Sequence, residues 1–200
     1  QFKRDSARVA FLVCGCFSVE VLCSNIGIAC LHPLTGRYVQ GGKMNKVYLF
    51  DWGDTLMIDF PDKTGKMCDW ENIQAVNGAL QTLEALSKQH QIYVATNAVD
   101  SSESDIKLAF DRVGLSPFIS GYFCKANLGI GKGTPEFFNR IIDTLNVEPK
   151  SVVMVGDSYD KDIEPAVTVG IQAIWFNPMG KVVQGSHEVK EIRKLSELCT

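Results

Sequence analysis

Apolar positions in this chain follow two rhythms. From Asn45 onward, short unbroken apolar runs alternate with longer stretches in which apolar residues recur every three or four positions. The unbroken runs predict buried strands over 47–50, 92–95, 151–156 and 171–176, with a shorter one over 122–124. The spaced stretches predict helices. Residues 71–89 put Ile73, Val76, Leu80, Leu83 and Leu86 on one face. A second helix carries Ile106, Ala109, Phe110 and Val113, with Asp100 and Glu103 as a capping box and Gly114 at the C-cap. In a third, Thr134 and Pro135 occupy N-cap and N1, and Phe138, Ile141, Ile142 and Leu145 point inward. Residues 187–198 read as a closing helix. Strands separated by single helices imply βαβ units, and hence an α/β fold with a doubly wound, mostly parallel sheet.

In such a sheet, ligands bind beyond the carboxyl ends of the strands. The polar residues of this chain gather there. The run "VYLF" stops at Asp51 and continues "WGDT", so Gly53 and Asp54 follow. The second strand ends in Thr96 and Asn97, and the fourth in "GDSYDKD", with Asp157, Ser158 and Asp162. Lys132 lies in the intervening loop "GIGKGTPEFF". Carboxylates crowded at neighbouring strand ends repel one another unless a cation sits among them. A hard divalent ion with oxygen ligands, Mg2+, suits two carboxylates with water and a phosphate. An aspartate so placed is a credible nucleophile toward phosphorus.

The ordered motifs hhhD-x-x-x-T, hhhT-N, K-x-x-P-x-x-F and hhhGDSxxxD resemble those of the haloacid dehalogenase (HAD) superfamily, over residues 45–177. The resemblance implies a Rossmann-like core and an aspartyl-phosphate formed on Asp51. It implies Mg2+ held by Asp51, the Gly53 carbonyl and Asp157, and phosphate contacts from Thr96, Asn97 and Lys132. Asp162 would orient metal-bound water or Lys132, with Ser158 supporting the same loop.

One departure stands out. The family's phosphatases usually read D-x-D-G-T, and the second Asp protonates the leaving group. Gly53 holds that place here, and Asp54 comes one residue later. Losing a general acid costs about 10²–10⁴-fold in rate. Asp54 is therefore a candidate substitute, completing a catalytic set of Asp51, Asp54 and Lys132; its plainer reading is a loop acid that turns the chain. Between Asp51 and the second strand there is no room for a helical cap domain. The expectation is an open, minimally capped, Mg2+-dependent phosphomonoester hydrolase. The alternatives are a catalytically weak phosphate-binding or regulatory relative, a phosphonatase or a dehalogenase. Dehalogenases use no metal and phosphonatases need a cap lysine, which argues against both.

Composition narrows the partners. The chain has 200 residues, 46% hydrophobic and 22% charged, with a net charge of −3 and no basic stripe. It suits one globular domain over 44–200, a small phosphorylated metabolite or exposed phosphate group as partner, and neither nucleic acid nor membrane; a homo-oligomer is compatible. Seven cysteines without a C-x-x-C pair read as reduced thiols in the cytoplasm. Residues 1–43 read as an N-terminal extension, a leader or an appended segment. Cys14, Cys16, Cys23, Cys30 and His32 match no zinc spacing.

Overall fold

Strand β1, Val47–Phe50, is buried along its whole length and pairs in parallel with a strand on either side. The structure is a computed structural model that describes residues 45–98, 100–183 and 187–199. The expected extension over 1–43 and its cysteines lie outside the described residues.

Around β1 stand β2 (Gln91–Ala95), β3 (Gly121–Phe123), β4 (Val152–Gly156), β5 (Gln172–Phe176) and β6 (Lys190–Ile192). They form one sheet in the order β3-β2-β1-β4-β5-β6, every pair parallel. This is the doubly wound Rossmann order, with its switch point between β1 and β4. Every strand therefore points its carboxyl end the same way, and the loops that follow the strands share one edge.

Alternation along β1 sorts the core. Tyr48 and Phe50 face helices α1 (Ala79–Ser87) and α2 (Glu103–Arg112), through Leu83, Leu86, Ile106 and Phe110. Val47 and Leu49 face the opposite layer, where α4 (Pro135–Leu145) contributes Phe137, Phe138 and Ile141, and α5 (Glu164–Thr168) contributes Ala166. The short helix α3 (Lys125–Leu128) follows β3. Among the described residues, no helix is long and apolar enough to cross a membrane.

Three local expectations are corrected. The helix expected over 71–89 is only α1. Gly78 sits at its N-cap with φ +84, a left-handed conformation that stops a helix from extending backward, and Leu80 is exposed. Residues 74–76 instead pair with 56–58: Val76 N–H donates to the Leu56 carbonyl at 2.9 Å, and Ile58 N–H to that of Gln74 at 2.9 Å. The capping box of α2 is Ser102 with Asp105, two residues later in the chain than the expected Asp100–Glu103 pair. The closing segment is β6 followed by a 3-10 turn, Leu195–Cys199, whose Leu195 and Leu198 are buried.

Candidate active site

Lys132 is the hub of the strand ends. Its ammonium is buried and donates to Asp51 Oδ1 and, at 3.1 Å, to the Ala95 carbonyl. It lies 2.7 Å from Asp162 Oδ1, a close ion pair in poor hydrogen-bonding alignment. Burial opposes the ammonium's charge, but Asp51 and Asp162 outweigh it and hold its pKa above the ordinary lysine value. Burial pushes the Asp162 carboxyl up, against the pull of Lys132. Asp162 Oδ2 accepts the Ser158 N–H at 3.1 Å. It lies so close to Gly156 that a Cβ there would overlap the carboxylate. A π-helical turn, Tyr159–Ile163, carries Asp162 back under the strand end, a deformation often found at functional sites.

Thr55 couples the first and fourth strand ends. Its hydroxyl donates to Asp51 Oδ2 at 3.4 Å and accepts the Asp157 N–H at 3.1 Å. One carboxylate oxygen from each of Asp51, Asp157 and Asp162 falls within a set spanning no more than 4.8 Å. All three border the cavity, but Asp162 is fully buried and paired with Lys132, which leaves Asp51 and half-buried Asp157 as the more accessible two. Burial raises the Asp157 pKa, and Asp51 and Asp54 raise it further. Two hard oxygen donors that repel each other are a donor set that Mg2+ takes, and Gly53 lines the same cavity.

Thr96 and Asn97 frame the other side. The Thr96 hydroxyl accepts the Ala98 N–H at 3.1 Å and keeps its own proton for donation. Asn97 Oδ1 accepts the Lys132 N–H at 3.1 Å and lies 2.9 Å from where a Cβ on Gly131 would stand, so it fastens the lysine loop. The cavity among these groups is about 510 Å3. On its rim, Met67 and Trp70 come from the loop between β1 and α1; both are buried, so they pack that loop as well as lining the site.

The profile of the haloacid dehalogenase-like hydrolases matches residues 53–170. The chain belongs to that family. The HAD-hydrolase YfnB of Bacillus subtilis is 32% identical over 130 residues, 64% of this chain and 54% of that protein. A glyceraldehyde 3-phosphate phosphatase of Pyrococcus furiosus is 30% identical over 122 residues, 60% of this chain and 48% of that one. The chain thus spans about half the length of these curated relatives. A crystal structure of YfnB bound to magnesium shares the fold, with a TM-score of 0.64 at 20% identity over 78% of this chain and 97% of that one.

Gly53 stands where the resemblance implies an acid. Asp54 adopts φ +55 and its Oδ1 accepts the Asp59 N–H at 3.0 Å, so its carboxylate closes a turn. That turn brings Asp59 over Gly53: its Oδ2 lies 3.6 Å from the position a Gly53 Cβ would take. Asp59 thus lies in van der Waals contact with the position a side chain at residue 53 would take. Burial raises its pKa, with Asp54 and Asp51 adding to the shift. No motif in the sequence marks Asp59, because the motif pattern tracks positions along the strand end and not a residue folded back over it.

Proposed function

We propose that the protein is a Mg2+-dependent phosphomonoester hydrolase that works through an aspartyl-phosphate on Asp51. The observation that carries this reading is Asp51 held between Lys132 and Thr55, with Asp157 beside it, at the mouth of a polar cavity. When bound by Asp51, Asp157 and the Gly53 carbonyl, Mg2+ would neutralise the phosphate's charge and orient it.

The chain's own groups supply the rest. Lys132 fixes the Asp51 carboxylate and offsets the charge that gathers near it; Asp162 in turn positions Lys132. Thr96 and Asn97 bind the phosphate oxygens. An Asp51 oxygen attacks phosphorus, the P–O bond to the leaving group breaks, and the departing oxygen takes a proton from Asp59. Water then attacks the aspartyl-phosphate and gives its proton to Asp59, returning Asp51 and releasing phosphate. Burial, Asp54 and Asp51 raise the Asp59 pKa, the direction a proton donor needs. Asp54 shapes the turn that delivers it. The free buried thiols Cys68 and Cys124 support a reducing, cytoplasmic setting.

Turnover of p-nitrophenyl phosphate with Mg2+ is the test. Asp51→Asn is expected to abolish it. With an alkyl phosphate, whose leaving group needs a proton, Asp59→Asn is expected to lose about 10²-fold or more. Asp54→Asn should lose less than Asp59→Asn; the reverse order would return the acid role to Asp54. Wild-type silence over a broad panel of phosphomonoesters would instead favour a phosphate-binding protein that lacks an effective acid.

A further inference from the structure

The carboxyl edge of the sheet carries a second cavity, about 540 Å3, that shares Asp54 and Asp157 with the first. The two differ sharply in charge. Six aspartates and two lysines line the first. In the second, the shared Asp54 and Asp157 are the only lining acids among the described residues, and Lys181, Arg193 and Lys194 line it as well. Glu191 and Glu197 neighbour these cations without lining the cavity.

This basic wall is built by the fold. Parallel pairing of β6 with β5 sends the chain out at Arg193 and Lys194 on the edge that carries Asp51 and Asp157. Buried Asn177 locks the turn before Lys181: its Oδ1 accepts the Lys181 N–H at 2.9 Å, and its Nδ2 donates to the Lys181 carbonyl at 2.9 Å. Gly180 has φ +65, and a Cβ there would stand 3.3 Å from Arg193 Nη2, so the glycine lets the guanidinium lie close. The Arg193 guanidinium lies 3.9 Å from exposed Glu191, a loose contact, and its backbone N–H donates to Glu197 Oε1 at 2.9 Å. Val76, Phe176 and Pro178 provide apolar surface between the shared acids and the cations.

We infer that this cavity receives the leaving group, and that the preferred substrate is a phosphomonoester bearing a second anionic group at its far end. The inference rests on the phosphohydrolase reading. Phosphate is cleaved over the acidic cavity, the carbon skeleton crosses the apolar surface, and the second anion meets Arg193, Lys194 and Lys181. A carboxylate and a second phosphate both satisfy such a fork of donors.

Matched substrate pairs test it: fructose 1,6-bisphosphate against fructose 6-phosphate, and 3-phosphoglycerate against glycerol 3-phosphate, each with Mg2+. The wild type is expected to favour the member with the extra anion in at least one pair by about tenfold in kcat/KM, the worth of one charge-assisted hydrogen bond. Which pair responds tells phosphate from carboxylate. In the double variant Arg193→Ala/Lys194→Ala, the preference should collapse toward unity through KM. No preference in either pair overturns the inference, as does a variant that loses both members equally, which is the mark of a merely structural role. Calorimetric titration of the Asp51→Asn protein with the same compounds and Mg2+ reads the cavity without turnover. Tighter binding of the extra-anion members, lost in the triple variant, supports it even if hydrolysis fails; equal binding overturns it.

Discussion

Gly156 owes its identity to a neighbour rather than to backbone freedom. The Asp162 carboxylate lies against its α-carbon, in the space a side chain would fill. Gly156→Ala must push Asp162 away, and with it the partner of the Lys132 ammonium. Forcing a methyl group into such a contact costs about 1–3 kcal/mol. The expected result is a lower melting temperature together with a fall in phosphatase activity larger than the stability loss explains. Thermal melts beside kinetics check it; wild-type activity in a folded Gly156→Ala protein would show that Asp162 has no part in holding Lys132. Asp59 teaches the complementary lesson about reading residues. Asp51, Thr96 and Asp157 are legible because each ends or follows an apolar run, and Lys132 because it opens the K-x-x-P-x-x-F pattern of the following loop. Asp59 reaches the site only because Asp54 takes a left-handed turn, and a single aspartate gives no sign of that in sequence.

The loop over 58–76 is fastened to α2. Arg112 Nη1 donates to the carbonyls of Cys68 at 2.8 Å and Trp70 at 2.6 Å, and Nη2 to that of Glu71 at 3.0 Å. Lys66 pairs with Asp105 at 2.8 Å. Arg112→Ala is expected to speed amide hydrogen exchange across 66–71 while the sheet strands stay protected; unchanged exchange there would refute the tether. The second fastening depends on acid. Hydrogen bonds from Lys66 and then from Ser102 hold the Asp105 carboxyl well below its ordinary pKa. Its contribution is thus present above the ordinary carboxylate range and is lost as pH falls below it. At this scale the sequence showed the central strands clearly, since buried parallel strands are unbroken apolar runs. It missed β6, where Lys190 and Glu191 are exposed and only Ile192 is buried, so three residues have no readable period. It overextended α1 because Ile73 and Val76 keep helical spacing while serving the pairing with 56–58.

Across the whole molecule, the carboxyl edge concentrates negative charge beside the switch point of the sheet. Asp157 and Asp59 both bind protons more tightly in the fold than in an unfolded chain. Their ionisation therefore opposes folding: the loss is absent below the ordinary carboxylate range and grows as pH rises through the raised folded values. A divalent cation bound only by the native state offsets that loss, by about 2.7 kcal/mol at a hundredfold excess over its Kd. Mg2+ is accordingly expected to raise the melting temperature more at about pH 7.5 than at about pH 4.5, where carboxyls near their ordinary pKa are part-protonated. An equal shift at both values, or none, would remove Asp51 and Asp157 as its ligands. The pinned loop has a chemical consequence of its own. A rim that stays in place cannot seal the reaction from bulk solvent, so in the proposed mechanism a phosphoryl group on Asp51 would meet whatever nucleophile diffuses in. Glycerol or ethanol would then compete with water for it, and part of the phosphate would leave as new esters.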